Sequence, residues 1–259
     1  VIPRLASAAT SRIPGLRSLP GRSPQRAHRK DDQTLDLVTV TDPRSSSAEA
    51  FRTLRTNLMF SQAVNAMRTL VVTSASPGEG KTVTAANLAV AFAQQGMRVL
   101  LIDCDLRRGR MHRMFNVPRE PGMSDLVLGF AKEVDVTRET SVPGLYVISS
   151  GKLPPNPAEM LGGENAREQL THLTEGYDLI ILDTPPLLAA SDAAILARLS
   201  DGVVMVLRAG ATESTAAQQA TQQLNNIGAR IVGAVLNDPD AQVARYGAYY
   251  QYNYVGDEA

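Results

Sequence analysis

Short apolar runs recur along this chain, each closed by a polar or glycine-rich break. They are "TLVVTSA" (69–75), "RVLLID" (98–103), "LYVISS" (145–150), "YDLIILD" (177–183), "GVVMVL" (202–207) and "RIVGAVLN" (230–237). Continuous runs of this length fit strands covered on both faces rather than strands with one wet face. Between them lie stretches of helical spacing: 81–95 closed by Gly96, "NPAEML…LTHL", 191–199 and 213–227. Upstream, "SSSAEAFRTLRTNLMFSQAV" (45–64) opens on serine, carries Glu49 in its first turn and repeats Phe51, Leu54 and Leu58 on one side. That pattern predicts a helix with an N-cap. "LDLVTV" (35–40) alternates and predicts a short strand, giving about seven in all. Residues 104–144 read as irregular, with short helices near 111–115 and 123–129. Strands alternating with helices predict an α/β fold: a mainly parallel central sheet flanked by helices on both faces.

The chain has 259 residues, 44% of them hydrophobic, enough for one domain of this class with a sizeable core. Three regions separate by composition. Residues 1–46 are rich in Pro, Ser, Arg and Gly and read as a mobile linker. Residues 47–240 carry the strand and helix pattern, and 241–259 form a tyrosine-rich tail. No apolar run approaches the roughly 20 residues of a membrane helix, and the N-terminus lacks the apolar centre of a secretory signal. It starts on Val, so a piece of a longer chain is expected. Net charge is zero, so no overall field draws nucleic acid. Locally, residues 1–30 hold seven Lys or Arg and no acid. They suit either a solvated linker or an anionic membrane surface, where each is worth about 1 kcal/mol. Cys104 is alone, which excludes a disulfide framework and fits a reducing compartment. His28, His112 and His172 lack metal-ligand spacing.

The chemistry starts at residues 75–82, Ala-Ser-Pro-Gly-Glu-Gly-Lys-Thr. They match G-x-x-x-x-G-K-[ST] except that Ala75 stands at the first glycine. Gly78 and Gly80 let the backbone curl so that successive N–H groups face an anion. The helix opening near Lys81 adds its positive end. Ser76, Pro77, Gly78, Glu79, Gly80, Lys81, Thr82 and Val83 are therefore the expected nucleotide cradle, with Lys81 on the outer phosphates and the Thr82 hydroxyl a magnesium ligand. "LLIDCDLRR" (100–108) ends the next strand. Alternation sends Asp103 and Asp105 to one side and Cys104 to the other. Two close carboxylates repel unless a cation sits near them. In "LIILDTPP" (179–186) four apolar residues run into Asp183, a second carboxylate suited to magnesium.

This set resembles the bacterial tyrosine kinases of polysaccharide export, over nearly the whole chain. "TSASPGEGKT" resembles their Walker A motif, "LLIDCDLRR" the second-aspartate motif, and "LIILDTPP" Walker B. "EAFRTLRTNL" (49–58) is similar to their E-x-x-R-x-x-R helix through Glu49, Arg52 and Arg55. "RYGAYYQYNY" (245–254) is similar to their tyrosine cluster. The resemblance implies a P-loop NTPase-like fold and an ATP- and magnesium-dependent kinase that phosphorylates its own tail tyrosines. It implies a ring of copies joined through Glu49, Arg52 and Arg55, and a membrane co-polymerase segment in cis or in trans. It also implies a cognate phosphatase, and a place at the cytoplasmic face of the inner membrane. One departure is Gly109, which follows Arg107 and Arg108 where the family often has Pro and predicts a looser loop. Another is Ser76, where the related partitioning ATPases carry lysine.

Of seven tyrosines, five (Tyr246, Tyr249, Tyr250, Tyr252 and Tyr254) fall in the last 14 residues. These are the expected phosphoacceptors. A hydroxyl of pKa about 10 needs a carboxylate to orient its proton; Asp103 is the candidate, with Asp105 and Asp183 serving magnesium. The alternation of Tyr250, Tyr252 and Tyr254 also fits an edge strand. Glu49 and Arg52 also fit a plain pair within one helix. Asn237 ends the last strand, as an adenine contact or a strand cap. Two rivals stand beside the kinase: an ATPase switch of the partitioning type, and a ring subunit that binds nucleotide without turnover.

Overall fold

The computed structural model describes residues 37–60 and 67–238. Their strands are β1 (Thr69–Ser74), β2 (Val99–Asp103), β3 (Thr137–Glu139), β4 (Leu145–Ile148), β5 (Leu179–Asp183), β6 (Gly202–Arg208) and β7 (Ile231–Asn237). They form one sheet in the order β3-β4-β2-β5-β1-β6-β7. Every neighbouring pair is parallel except β3 with β4. The helices are α1 (Val38–Thr41), α2 (Ser46–Phe60), α3 (Lys81–Ala93), α4 (Met111–Met114), α5 (Met123–Val127), α6 (Glu133–Val136), α7 (Pro157–Leu161), α8 (Glu164–Gly176), α9 (Asp192–Leu199) and α10 (Ser214–Asn226).

Each inner strand sends alternate residues to two cores. Val71, Leu100, Ile102, Ile180, Leu182 and Val203 pack on one face with residues of α5, α8, α9 and α10. Leu70, Val72, Leu101, Ile181, Val204 and Val206 pack on the other, with α3 and Leu58 of α2. This two-sided burial is why the strands read as unbroken apolar runs. Ten of the thirteen residues of α3 are buried, because α2 lies over its outer side. A helix apolar all round is one covered all round.

Two expectations are corrected. The end of "LDLVTV" is helical, in the helix Val38–Thr41. The Thr39 backbone N–H and hydroxyl both donate to Asn87 Oδ1, at 3.0 and 2.9 Å. Its carbonyl accepts from the Gln94 amide at 3.2 Å. The segment thus meets its backbone needs on the side chains of α3 and its flank, without a sheet edge. The seventh strand is instead β3, Thr-Arg-Glu, antiparallel to β4 and partly exposed. Three polar residues on a sheet edge carry no apolar signal. The short helix α6 was likewise hidden in the stretch read as irregular.

Candidate active site

The strand order decides what meets at the mouth of the site. β5 lies between β2 and β1, so Asp183 ends its strand between Asp103 and the glycine loop. Asp103 and Asp183 are direct partners in the β2–β5 register, and the Cys104 N–H donates to the Asp183 carbonyl at 2.8 Å. These are the C-terminal ends of parallel strands, where open α/β sheets bind ligands.

Gly78 and Gly80 hold φ of 81° and 89°, the left-handed region, and Gly80 caps α3. Ser76 is half-buried, Pro77 and Gly78 are exposed, and Lys81, Thr82 and Val83 are half-buried, so the loop opens to solvent. Glu79 turns inward. Its Oε2 accepts the Ser76 N–H at 3.0 Å and its Oε1 accepts the Thr212 hydroxyl at 2.6 Å. The Glu79 side chain is therefore a strut and not a ligand contact. Asn237 Nδ2 donates to the Glu79 carbonyl at 3.0 Å, bracing the loop from β7. A Cβ on Gly80 would lie 2.0 Å from that nitrogen. The amide of Asn237 thus serves the loop, beyond the two roles its position suggests.

Lys81 Nζ lies 3.6 Å from Asp105 Oδ2. Asp105 Oδ1 accepts the N–H groups of Arg108 at 2.9 Å and Arg107 at 3.3 Å. Asp183 is buried and its Oδ1 has no hydrogen-bond partner among the described residues. Burial lifts its pKa from 3.8 to about 6, against the opposing pull of Lys81 and of a hydrogen bond from the Thr82 hydroxyl. Asp103 is raised well above the carboxylate range, first by burial, then by Asp183. It is wholly enclosed, its oxygens accepting the N–H groups of Asp105 and Met111, both at 3.2 Å. Of the two acids sent to one side of β2, only Asp105 keeps an open edge, at 8% exposure. Cys104 is buried, and burial beside three acids pushes its thiol up, so it is inert.

Two features of the loop after β2 were not apparent beforehand. Asp192, in the first turn of α9 and 1% exposed, receives Arg107 through Nε at 3.0 Å and Nη2 at 3.4 Å. The pair ties the loop to α9 next to the residues that cap Asp105. An acid in a helix's first turn reads as a partner for the helix dipole; its burial and its Arg partner are tertiary facts. Gly109 corrects the expectation of a looser loop. A Cβ there would stand 2.6 Å from Asp103 Oδ2 and 2.6 Å from Ser150 Oγ. The loop presses onto the end of β2 and the segment just after β4 at that point, and only glycine fits.

Glu49 and Arg52 pair within α2 at 2.7 Å. Arg55 Nη1 donates to the Ala91 carbonyl of α3 at 2.9 Å. None of the three touches the cradle: Glu49 is exposed, and Arg52 and Arg55 serve α2 and its contact with α3. Residues 1–36 and the tyrosines Tyr246, Tyr249, Tyr250, Tyr252 and Tyr254 lie outside the described residues.

Residues 67–235 match the family described as AAA domain. The chain is 38% identical to the tyrosine-protein kinase YwqD of Bacillus subtilis over 225 residues, 86% of this chain and 95% of that one. Among solved structures, the chimerical protein CapA2B2 superposes with a TM-score of 0.76 at 34% identity, over 79% of this chain and 90% of that one. The kinase domain of the Escherichia coli tyrosine kinase ETK gives 0.75 at 36%, over 84% and 85%.

Proposed function

The chain belongs to the bacterial tyrosine-kinase family, and from that premise we propose how its residues transfer phosphate from ATP to tyrosines of its own C-terminal segment. It is a protein-tyrosine kinase with a nucleotide-binding P-loop fold. The partitioning-type ATPase is not favoured, since the relatives that match over most of both chains are tyrosine kinases.

The observation that carries the site reading is the orphaned Asp183 oxygen. A buried carboxylate oxygen without a donor is costly unless a cation or another partner meets it. The Thr82 hydroxyl, bonded to Asp183, and the carboxylate of Asp105 complete a set of hard oxygen donors, which fits magnesium. When bound, magnesium neutralises charge on the outer phosphate oxygens. Lys81 exchanges Asp105 for those phosphates. The loop amides from Gly78 to Thr82 and the start of α3 hold them by hydrogen bonds and dipole. The attacking phenol forms its O–P bond as the bond from phosphorus to ADP breaks, and its proton passes to a carboxylate. Asp103 is the candidate for that carboxylate; burial favours its protonated form in the closed site, so it takes the proton only once the opened site has ionised it. Asp103 is sealed at rest under Gly109, so the phenol reaches it only if residues 109–111 move aside while Asp105 keeps its place.

The same reading extends to the family's setting. The kinase serves exopolysaccharide or capsule export at the cytoplasmic face of the inner membrane, in a homo-oligomeric ring. A membrane co-polymerase segment in cis or in trans activates it, and a cognate phosphatase resets it. No helix among the described residues is long and apolar enough to cross a membrane, so that anchor would come from outside them.

Mass spectrometry after incubation with Mg-ATP tests the reading, with wild type beside Asp103→Asn. Phosphate on Tyr246 to Tyr254 in the wild type, and its loss of at least tenfold in the variant, is expected. No phosphate on that segment, even with a membrane activator present, would falsify the kinase mechanism. Release of inorganic phosphate without phosphotyrosine would favour the ATPase switch.

A further inference from the structure

At the end of β1 away from the glycine loop, a cavity of about 660 Å³ opens between α8 and the last turn of α9. Three arginines converge on it: Arg68 before β1, Arg167 on α8 and Arg198 on α9. The one acid among its lining residues is Asp201, and that acid is already engaged. Its Oδ2 accepts the Arg68 N–H at 2.8 Å, the Thr69 N–H at 2.9 Å and the Thr69 hydroxyl at 2.8 Å. The guanidinium groups are therefore left largely uncompensated. Arg68 Nη1 donates to the Thr174 carbonyl at 2.8 Å, which positions the group without cancelling its charge. Arg167 meets Glu164 only at 4.0 Å, with both side chains mostly exposed, a pair worth little. Arg198 has no ion pair or hydrogen bond among the described residues. The lining is not wholly polar: Leu170 and Leu199 contribute apolar surface.

We propose that this cavity binds a phosphotyrosyl group carried by residues 245–254 of this chain. The inference rests on the kinase reading above and names a second site that reads its product. A tyrosine phosphate carries about −1.5 to −2 charges and three strong acceptor oxygens. Arginine forks match such oxygens two at a time, and arginine clusters are a recurring way to hold phosphotyrosine. Leu170 and Leu199 suit the phenyl ring, and the volume falls within the range of small-ligand pockets, about 300–1,000 Å³. Inorganic phosphate would leave the apolar surface unused. Extended chain covers about 3.3 Å per residue. Tyr246 to Tyr254, nine to seventeen residues past Asn237, can therefore extend roughly 30–55 Å from the end of β7. A six-residue strand such as β1 is about 20 Å long.

Fluorescence polarisation on the full 259-residue chain, treated with a phosphatase, tests this. The probe is a labelled peptide RYGAYYQYNY phosphorylated at the position of Tyr250, beside the same peptide without phosphate. Phosphate should tighten binding at least tenfold, and phenyl phosphate should displace the peptide at lower concentration than inorganic phosphate. Arg167→Ala with Arg198→Ala should remove at least tenfold of the affinity. The matching pair of Arg→Lys changes, which keeps charge and fold but not the fork, should recover only part. Equal binding of the two peptides overturns the proposal. So does binding that survives the double Ala variant and is displaced by Mg-ADP, which belongs to the cradle. So do phosphatidylglycerol vesicles that bind through these arginines when the phosphopeptide does not. The peptide arrives already phosphorylated, so its failure to bind leaves the kinase reading standing. A chain that phosphorylates nothing would likewise leave a positive binding result intact.

Discussion

Asp183 shows how far one residue's chemistry depends on its surroundings. Free in water its carboxyl would ionise near 3.8; enclosed at the end of β5 it ionises at about 6. The sign follows. A raised carboxyl pKa means that the fold favours the protonated form, so this contribution to stability is present below about pH 4 and lost as pH rises through 6. The cost of ionising the buried group is on the order of 3 kcal/mol. Magnesium needs the ionised form, so its apparent affinity should fall as pH drops from 7 to 5. Titration of Mg-ADP binding across that range checks it; an affinity flat between pH 5 and 7 would contradict it. Asp183→Asn should raise the melting temperature of the metal-free protein at pH 8 while removing the magnesium dependence of nucleotide binding. Gly80 gives a second test. Gly80→Ala forces φ of +89° on a residue with a Cβ, at a cost of about 1–2 kcal/mol, and drives it into Asn237. Nucleotide affinity measured by calorimetry should fall at least tenfold. Gly78→Ala meets no atom within 4 Å and should fall less. The need for both glycines was legible in the loop pattern; the collision with Asn237, 157 positions away in sequence from Gly80, was not.

Among the elements, the loop joining β2 to α4 is the one whose placement most affects the site. Its start is capped by Asp105, its middle is pressed onto Asp103 and Ser150 at Gly109, and Arg107 ties it to α9. Asp192→Asn should loosen that tie without stranding a charge, because Arg107 is 45% exposed and can turn to water. Initial rates should fall about tenfold, and the magnesium concentration for half-maximal rate should rise, as Asp105 loses its fixed position. A purely structural role would lower the melting temperature and leave that concentration unchanged. Arg107→Ala should destabilise more, on the order of 1–3 kcal/mol in urea unfolding, since it leaves Asp192 buried and unpaired. At this scale the alternation of apolar runs and helical stretches gave the central strands and long helices directly. It failed where an element is short or polar. The residues Thr-Arg-Glu of β3 hold an edge by pairing with β4 without any apolar run, and Val38–Thr41 is a helix because Asn87 and Gln94 receive it.

For the whole molecule, the insertion of β5 between β2 and β1 is the decisive feature. It brings acids 80 positions apart in sequence into register and aligns both with the loop after β1. On the face covered by α3, α2 forms an outer layer. Glu49 and Arg52 spend their charges on each other there, a pair worth about 0.2–0.5 kcal/mol, with the Glu49 side chain 56% exposed. If that face also joins copies, Glu49→Ala with Arg52→Ala should lower the mass seen by light scattering with little change in urea midpoint. Mg-ATP should likewise lower the mass of the wild type but not of Lys81→Met, as several phosphates on one tail repel each other. An unchanged mass in both experiments would rule out this face as the contact between copies and tail phosphorylation as its release.

Read alone, the amino-acid order determined the parallel α/β class, the glycine cradle, the acids at Asp103, Asp105 and Asp183, and the tyrosine-rich end. Those are local matters: strand burial shows in runs, and a phosphate loop shows in spacing. Only the folded chain decided which acid is open and which is sealed, that Glu79 and Asn237 brace the loop, and that Arg107 answers to Asp192. It also set three arginines from distant segments around one cavity. Such relations depend on which strands and helices become neighbours, a choice made by burying the whole apolar surface at once rather than by any segment's own pattern.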